Sequence, residues 1–308
     1  MPIPRVDYIW QDGKLVAWDQ AQVHVLSHAL HYASGVFEGL RCYRTPAGSS
    51  VFRLEEHMQR LLDSARMLYM ELPYSLEELC DIVKTTVAAN KVPECYIRPL
   101  VFRGLGMLGV SPLDSPVNCI VALWPWDNFL GEDALEQGIA VGVSSWRQRS
   151  VNAFPPQIKA TASYMNSGLA NIEAARNGYD EAILLNEDGR VCEGSGENLF
   201  IVKSGVLITP PISDGVLAGV TRDTVMTLAR EAGYEVREAS LVRSQLYSAD
   251  ECFMTGTAAE VVPVRSCDGI SIGSGKAGPV ALQLQKAYFA CVHGEVPAHA
   301  DWLAPVED

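Results

Sequence analysis

The sequence runs Glu193-Gly-Ser-Gly-Glu-Asn-Leu-Phe200, then Leu207-Ile-Thr209, and then Leu217-Ala-Gly-Val-Thr-Arg222. The last piece reads as a glycine turn that opens a helix at Thr221. The first N–H groups of a helix have no acceptor within the helix, and they bind phosphate groups well. The stretch therefore predicts strands that lead into an anion-binding turn.

A second candidate anion site follows at the end of a later strand. The segment Phe253-Met-Thr-Gly-Thr-Ala-Ala-Glu260 places small residues and hydroxyl groups there. The backbone N–H groups of Gly256, Thr257 and Ala258 are candidates to face an anion. Each piece alone is weak evidence, since glycine–threonine turns are common, but the order and spacing of the pieces carry more weight.

Lys159 differs from the other six lysines of the chain. Those six lie beside turns or on polar helix faces, whereas Lys159 lies within Phe154-Pro-Pro-Gln-Ile-Lys-Ala-Thr-Ala-Ser-Tyr-Met-Asn166, among apolar and small residues. Burial disfavours the ammonium form and so favours a nucleophilic amine, as a Schiff-base lysine requires. On composition alone, a loop lysine that reaches solvent remains the alternative.

The pattern along the chain predicts an α+β protein with two mixed-sheet domains. Residues 1–127 form the smaller N-terminal domain, residues 128–137 a linker, and residues 138–308 the larger domain with Lys159. Alternating apolar residues around Asp12-Gly13 predict a hairpin, and Ser75-Leu-Glu-Glu has the pattern of a capping box. The main predicted helices are Leu54–Met67, Ser75–Asn90, Ser167–Arg176, Thr221–Ala232 and Gly278–Val292.

Composition limits the classes of partner. The 308 residues carry a net charge of −13, which disfavours nucleic acid as a partner because phosphate binding needs clustered Lys and Arg. No run is long and apolar enough to span a membrane, and the N-terminus has no apolar signal core. Eight cysteines without a C-x-x-C pair predict reduced, mostly buried thiols in the cytoplasm.

The run from Glu193 to Arg222 resembles the signature of the fold-type IV (class IV) aminotransferases, which use pyridoxal 5′-phosphate (PLP). The N-terminal half resembles the branched-chain amino acid aminotransferases of the bacterial type. The matching segments are Val23–Tyr43, Glu56–Leu61 and Tyr96–Pro99. The resemblance covers nearly the whole chain, and it implies the two-domain fold-type IV architecture.

The resemblance implies roles for the residues that contact the cofactor. Lys159 forms the Schiff base and moves the proton of the substrate, Glu193 pairs with the pyridine nitrogen, and Tyr164 bonds the phenolic oxygen. Leu217 packs on the ring. The remaining cofactor-binding residues, at or near the phosphate, are Arg60, Gly219, Val220, Thr221, Gly256 and Thr257.

The same resemblance implies transamination of Leu, Ile or Val with 2-oxoglutarate as the acceptor. The residues expected to line the substrate pocket are Tyr32, Phe37, Gly39, Tyr96, Arg98, Trp126, Thr257 and Ala258. Arg98, helped by Tyr32, takes the distal carboxylate, because a buried charge needs a partner. The α-carboxylate goes to Tyr96 and the Thr257–Ala258 N–H groups. The loop 104–110 resembles one lent to a neighbouring subunit, which implies a homodimer at least, with a hexamer left open.

Three departures from the family pattern leave the substrate range open. Phe129 replaces an expected tyrosine, Ala218 replaces an expected proline, and the loop 104–110 differs by one or two residues from the expected pattern. The rival interpretations are an (R)-selective amine or D-amino acid transaminase, an aminodeoxychorismate lyase, and a non-catalytic PLP- or sugar-binding domain. The spacing of His24, His28 and His31 would suit a metal, but no matching carboxylates or thiolates accompany them, so we expect none. We interpret Glu197 as a strand-start residue.

Overall fold

The structure is a computed structural model that describes residues 3–126 and 132–307, without the side chains of residues 132 and 133. The chain divides into two compact units. The helices are α1 His28–Tyr32, α2 Leu54–Met67, α3 Leu76–Asn90, α4 Glu132–Gln137, α5 Ser163–Arg176, α6 Val220–Glu231, α7 Arg243–Tyr247 and α8 Pro279–Val292. The strands are β1 Tyr8–Gln11, β2 Lys14–Ala17, β3 Gly35–Phe37, β4 Leu40–Thr45, β5 Gly48–Phe52, β6 Cys95–Arg103, β7 Val117–Trp124, β8 Ile139–Arg147, β9 Glu181–Leu185, β10 Val191–Gly194, β11 Asn198–Lys203, β12 Val206–Thr209, β13 Glu235–Glu238, β14 Glu251–Gly256, β15 Glu260–Cys267, β16 Ile270–Ser271 and β17 Leu303–Pro305.

The first unit is built on an eight-stranded sheet in the order β17-β5-β4-β6-β7-β1-β2, with β3 also paired to β6. Helix α3 packs on β1 and β7, and α2 packs on α3. Leu40, Met58, Leu61 and Ile97 are fully buried between these layers. Burying such apolar side chains is the main force that holds the layers together.

The second unit is built on a nine-stranded sheet in the order β10-β9-β8-β15-β14-β11-β12-β13, with β16 paired to β15. Its core is formed by apolar residues of the strands and of the segments that pack on them. Ile139 of β8, Ile183 of β9, Leu199 of β11 and Val262 of β15 belong to this core. Helix α6 packs on β13 and β14. The predicted α+β class is therefore confirmed, with one sheet in each unit.

Mixed pairing is found in the second unit, where β8 runs parallel to β9 and β15, and β12 parallel to β13. In the first unit, every described pairing is antiparallel, which differs from the mixed sheet expected there. The reason is connectivity. The pairs β1–β2 and β4–β5 are joined by short turns, and a short turn can only reverse the chain, whereas parallel neighbours need a long crossover.

The two units are not the two continuous segments that were predicted. Residues 158–163 and 290–308 belong to the first unit rather than to the predicted domain 138–308. Ala160 bridges Val36 of β3, and β17 pairs with β5, so the backbone hydrogen bonds of both segments are made there. Sequence order alone does not reveal such returns of the chain.

The predicted linker, residues 128–137, is only partly a connection. Residues 132–137 form helix α4, and Ala134 is buried in the core of the second unit. Phe129 and the rest of the linker before α4 lie outside the described residues. Within those described residues, we find no helix long and apolar enough to cross a membrane.

Helix α2 has the predicted bounds, and the capping box of α3 is confirmed. The Ser75 hydroxyl accepts from the Glu78 N–H at 3.2 Å, and the Glu78 carboxylate accepts from the Ser75 N–H at 2.7 Å. Two other helices begin earlier than predicted. Helix α5 begins at Ser163 instead of Ser167, and α6 begins at Val220 because Gly219 takes the capping position.

Candidate active site

Lys159 is held in the first unit by its backbone. Its carbonyl accepts from the Phe37 N–H at 3.0 Å, and its own N–H donates to the Ser64 hydroxyl at 3.3 Å. Its Nζ lies 5.3 Å from the centroid of the Phe37 ring, within the range of a cation–π contact. The half-buried amine is therefore directed along an aromatic wall by a backbone that strand β3 and helix α2 fix.

A buried ionic cluster lies in the same unit. Glu38 is fully buried and accepts from Arg60 at 2.6 and 2.9 Å and from His57 Nδ1 at 2.7 Å. Burial alone would raise the pKa of Glu38, but Arg60 and His57 bring it well below its usual value. The carboxylate is thus charged and fixes the direction of the Arg60 guanidinium.

His57 stays neutral in this cluster. Burial lowers the pKa of its imidazole, Glu38 opposes this, and the positive charges of Arg60 and Lys159 lower it further. Lys159 lies next to this cluster, because its N–H donates to Ser64 of the helix that carries His57 and Arg60. Arg60 itself, predicted to bind phosphate, is largely buried and has an ion pair that holds it in place.

Arg98 lies in a cage of aromatic rings. Its Cζ is 4.6 Å from the Phe37 centroid, 5.2 Å from that of Tyr96 and 5.8 Å from that of Trp124. Its Nη2 donates to the Tyr96 hydroxyl at 3.2 Å. A Cβ on Gly39 would come within 2.0 Å of the same hydroxyl, so only glycine leaves room for it.

The structure brings together most of the predicted substrate residues of the first unit. Phe37 contacts both Lys159 and Arg98, and Trp126 lies 5.0 Å from the Tyr96 ring. Tyr32 is different: it is 47% exposed, and its ring stacks on His28 at 4.6 Å. The structure thus gathers Phe37, Gly39, Tyr96, Arg98 and Trp126 in one cluster, which meets the amine at Phe37, while the described ring contact of Tyr32 lies elsewhere.

Glu193 is held in the second unit by three donors. Its carboxylate accepts from Gln148 Nε2 at 2.8 Å, from the Leu217 N–H at 3.0 Å and from Asn198 Nδ2 at 3.2 Å. Burial lowers the pKa of the neighbouring Arg149, and the Glu193 carboxylate acts against that shift, with the Tyr164 hydroxyl also nearby. Glu193, Tyr164 and Arg149 therefore lie close enough to interact electrostatically.

The predicted phosphate turn precedes helix α6. Gly219 caps the helix, and a Cβ there would lie 1.9 Å from Asn198 Oδ1. Asn198 also donates to the Leu217 carbonyl at 2.9 Å, so one side chain connects the turn to the Glu193 carboxylate. Val220 and Thr221 are buried in the first turn, where N–H groups have no acceptor within the helix.

The second predicted anion site is the turn between β14 and β15. Gly256, Thr257 and Ala258 are half-buried there. The neighbouring Thr255 hydroxyl is buried and has no hydrogen-bond partner in the part of the chain that the structure describes. Such a group carries an energetic cost unless a partner binds, which fits a turn that receives a ligand.

The three histidines of the N-terminal segment are engaged in ordinary hydrogen bonds. His28 bonds the Ser34 hydroxyl at 2.7 Å and the Gly109 carbonyl at 2.8 Å. His31 bonds the Val25 carbonyl, and His24 accepts from the Leu26 N–H. Across residues 3–126 and 132–307, no group of three His, Cys, Asp or Glu side chains is arranged to hold a metal ion.

Sequence reasoning missed the residues that support the site. Glu38 could have been noticed, because a carboxylate inside the apolar run 35–40 needs a positive partner. Gln148 and Asn198 give no comparable signal, since isolated amides are common in loops and at strand ends. All of these act by holding a predicted residue in position.

Comparison with known proteins identifies the family. The family model described as amino-transferase class IV matches residues 35–267. The branched-chain-amino-acid aminotransferase of Salmonella typhimurium is 48% identical over 307 residues, 99% of either chain. The crystal structure of Escherichia coli branched-chain amino acid aminotransferase has a TM-score of 0.96 and 48% identity, covering 98% of this chain and 100% of its own.

A third comparison concerns a structure in its PLP form. The branched-chain amino acid aminotransferase of Thermobaculum terrenum, crystallised as the holo-form, has a TM-score of 0.93 and 36% identity. The match covers 99% of this chain and 99% of that one. The family predicted from the Glu193–Arg222 signature is confirmed by these matches. This chain belongs to the class IV aminotransferases.

Proposed function

We propose that this chain is a PLP-dependent branched-chain-amino-acid aminotransferase that exchanges the amino group between Leu, Ile or Val and glutamate. One observation carries the proposal: the Phe37 ring contacts both the Lys159 amine, at 5.3 Å, and the Arg98 guanidinium, at 4.6 Å. A reactive amine and a carboxylate-binding cation thus share one apolar wall. The similar proteins named above carry this activity in their names.

The residues present fit the cofactor. The Glu193 carboxylate, held by its hydrogen bonds, suits a protonated ring nitrogen, and the first turn of α6 has N–H groups with no acceptor within the helix, which suit a phosphate. Arg60 adds a positive charge whose direction Glu38 fixes. When bound, PLP supplies a ring that accepts electrons from the substrate.

Each residue then has one task. Lys159 Nζ would hold the cofactor, and the same amine would remove and return the Cα proton of the substrate. Glu193 would keep the ring nitrogen protonated, and Tyr164 would bond the phenolic oxygen. Leu217 would pack on the ring. The remaining cofactor contacts are Arg60, Gly219, Val220, Thr221, Gly256 and Thr257.

Arg98 lets one pocket accept two kinds of substrate. The distal carboxylate of glutamate pairs with its guanidinium, whereas leucine places its apolar end against Phe37, Trp126 and the other rings. Tyr96 and the turn at Thr257–Ala258 hold the α-carboxylate. Gly39 leaves room for the Tyr96 hydroxyl. Tyr32 assists with the distal carboxylate.

Two copies of the chain pair through an apolar surface of the first unit. Val25, Leu30, Met107, Val110 and Leu113 are between 60% and 87% exposed. A bridge between Ser27 and Leu105 joins the two segments that carry them. A contiguous apolar surface of this kind is typical of an interface. It supports a homodimer as the smallest assembly, and further assembly to a hexamer is compatible with it.

We place the enzyme in the cytoplasm, in contact with amino acids and 2-oxo acids. All eight cysteines lie in the described ranges and carry thiols rather than disulfides, as a reducing compartment favours. Seven of them are buried, so the prediction of mostly buried thiols is confirmed.

A visible spectrum of the purified enzyme tests the proposal. The imine absorbance should disappear on addition of L-leucine and return on addition of 2-oxoglutarate, while Lys159→Ala should lose that absorbance and the turnover but keep the fold. Turnover of D-amino acids or amines in place of L-leucine would support the amine transaminase instead. Release of pyruvate from aminodeoxychorismate would support the lyase.

A further inference from the structure

Trp124 lies beside Arg98 on the neighbouring strand. Strands β6 and β7 pair Tyr96 directly with Trp124, so both rings project from the same face of the sheet. The ring centroids of Tyr96 and Trp124 are 5.1 Å apart, and that of Trp124 is 5.8 Å from Arg98 Cζ. Trp124 was not among the predicted substrate residues.

Two buried N–H donors in this cluster have no acceptor within residues 3–126 and 132–307. They are Nε of Arg98 and Nε1 of Trp124. Buried donors are nearly always paired, so two unpaired ones in the same aromatic surroundings indicate that an acceptor binds there. The Tyr96 hydroxyl already accepts from Arg98 Nη2.

A carboxylate suits these donors best. Its two oxygens offer several acceptor positions, and its negative charge matches the guanidinium. We propose that Trp124 is a specificity-determining residue whose indole N–H donates to the distal carboxylate of glutamate and 2-oxoglutarate, next to Arg98. This rests on the proposed function, and it adds to that function a donor that leucine, with its apolar side chain, does not use.

The variant Trp124→Phe removes the N–H and keeps an aromatic ring against Tyr96. Single-turnover rates should be measured with L-glutamate and with L-leucine, using the holoenzyme. We expect kcat/KM for the glutamate half-reaction to fall about five- to tenfold and that for leucine to stay within about twofold. L-Glutamine should be affected less than glutamate, because its distal amide carries no charge.

A matched control is Trp10→Phe, which makes the same change at a buried tryptophan that packs against Tyr74 in the same unit. It should leave the ratio of the two half-reactions unchanged. If Trp124→Phe does not fold, as judged by circular dichroism, Trp124→Tyr serves as the second variant and should show the same selective loss.

The outcomes separate the inference from the proposed function. If the wild-type enzyme reacts with neither amino acid, the proposed function is wrong. If it reacts with both, and Trp124→Phe slows both equally or neither, then Trp124 is only a wall of the pocket and the inference is overturned. A loss confined to leucine would overturn it as well.

Discussion

Glu193 carries its negative charge in a half-buried position where three N–H donors face it. Replacement by glutamine removes the charge and turns an NH₂ group toward some of those donors. We expect Glu193→Gln to slow abstraction of the Cα proton about 10- to 100-fold, from the loss of a charged hydrogen bond of ~1.5–3 kcal/mol. The affinity for PLP should change less, because the variant leaves the proposed phosphate-binding residues intact.

The rate of proton abstraction is measured in single turnovers with leucine deuterated at Cα, and PLP affinity by titrating the apoenzyme. Glu193→Asp is the control, because it keeps the charge on a shorter side chain. Near-normal turnover in Glu193→Gln would mean that this carboxylate only supports the local structure.

Arg98 is predicted to separate the two half-reactions. Its guanidinium lies in the aromatic cage and has few polar contacts, so it is available for a carboxylate. Arg98→Met should reduce the glutamate half-reaction by one to two orders of magnitude, matching ~1.5–3 kcal/mol, and should affect leucine far less. Single-turnover rates with each amino acid measure this. An equal loss for both would assign Arg98 to the α-carboxylate.

At the scale of single residues, the sequence reveals those whose chemistry is unusual for their neighbours in the chain. Lys159 stands out because small and apolar residues flank it, and the structure indeed places it against Phe37. Asn198 could not be found in this way. Its importance comes from contacts with Glu193 and Leu217, which become neighbours only when β10, β11 and the turn before α6 come together.

The N-terminus of helix α6 depends on the close approach of Asn198 to Gly219. A Cβ on Gly219 would overlap Asn198 Oδ1, so Gly219→Ala must displace either the turn or Asn198. We expect a loss of about 1–3 kcal/mol in the free energy of unfolding and a weaker affinity for PLP. Gly168→Ala is the matched control in helix α5, since a Cβ there meets no atom within 4 Å.

Urea unfolding and PLP titration of both variants check this prediction. The control should be as stable as the wild type or more so, because alanine favours a helix over glycine by about 1 kcal/mol. Unchanged PLP affinity in Gly219→Ala would contradict the role of this turn in binding the phosphate.

The buried His57 of helix α2 should make the free energy of unfolding depend on acid. Burial keeps the pKa of His57 below 6.5 in the folded protein. Just below pH 6.5, the unfolded chain therefore binds a proton at His57 more readily than the folded chain does, and this favours unfolding. Glu38 has a pKa below 4.5, and its stabilising effect is lost as the pH falls through that lowered value. Both effects make the free energy of unfolding decrease from neutral to acid pH.

Urea unfolding of the holoenzyme at pH 7.5 and 5.5 measures the decrease. His57→Asn keeps an N–H donor for Glu38 and removes the titrating ring, so its stability should fall less than that of the wild type over the same range. An equal decrease in both proteins would show that other groups cause the sensitivity to acid.

Elements with strong local signals were predicted well. The capping box of α3 and the apolar face of α2 are properties of neighbouring residues, and both helices have the expected positions. The beginning of α5 at Ser163 was missed because the segment 163–166 lacks a capping pattern. Strand β17 was missed for another reason: it exists only through its pairing with β5.

Over the whole molecule, the thiols should be unreactive in the native state. Seven of the eight cysteines are buried, and burial raises the pKa of Cys80 to about 11 and that of Cys119 and Cys267 to about 12. Since the thiolate is the reactive form, iodoacetamide at pH 7.5 should label only Cys80, and slowly. Mass spectrometry should find all eight labelled in urea. Rapid labelling of several native cysteines would contradict the described burial.

Strand β17 completes the edge of the first sheet, where Leu303 lies opposite Phe52. Strand β5 is synthesised about 250 residues before β17, so the nascent chain leaves the edge of β5 open over that interval. An open strand edge pairs readily with other chains. A chain that stalls between these two strands should therefore aggregate more readily than the complete first sheet, because its β5 edge still lacks a partner.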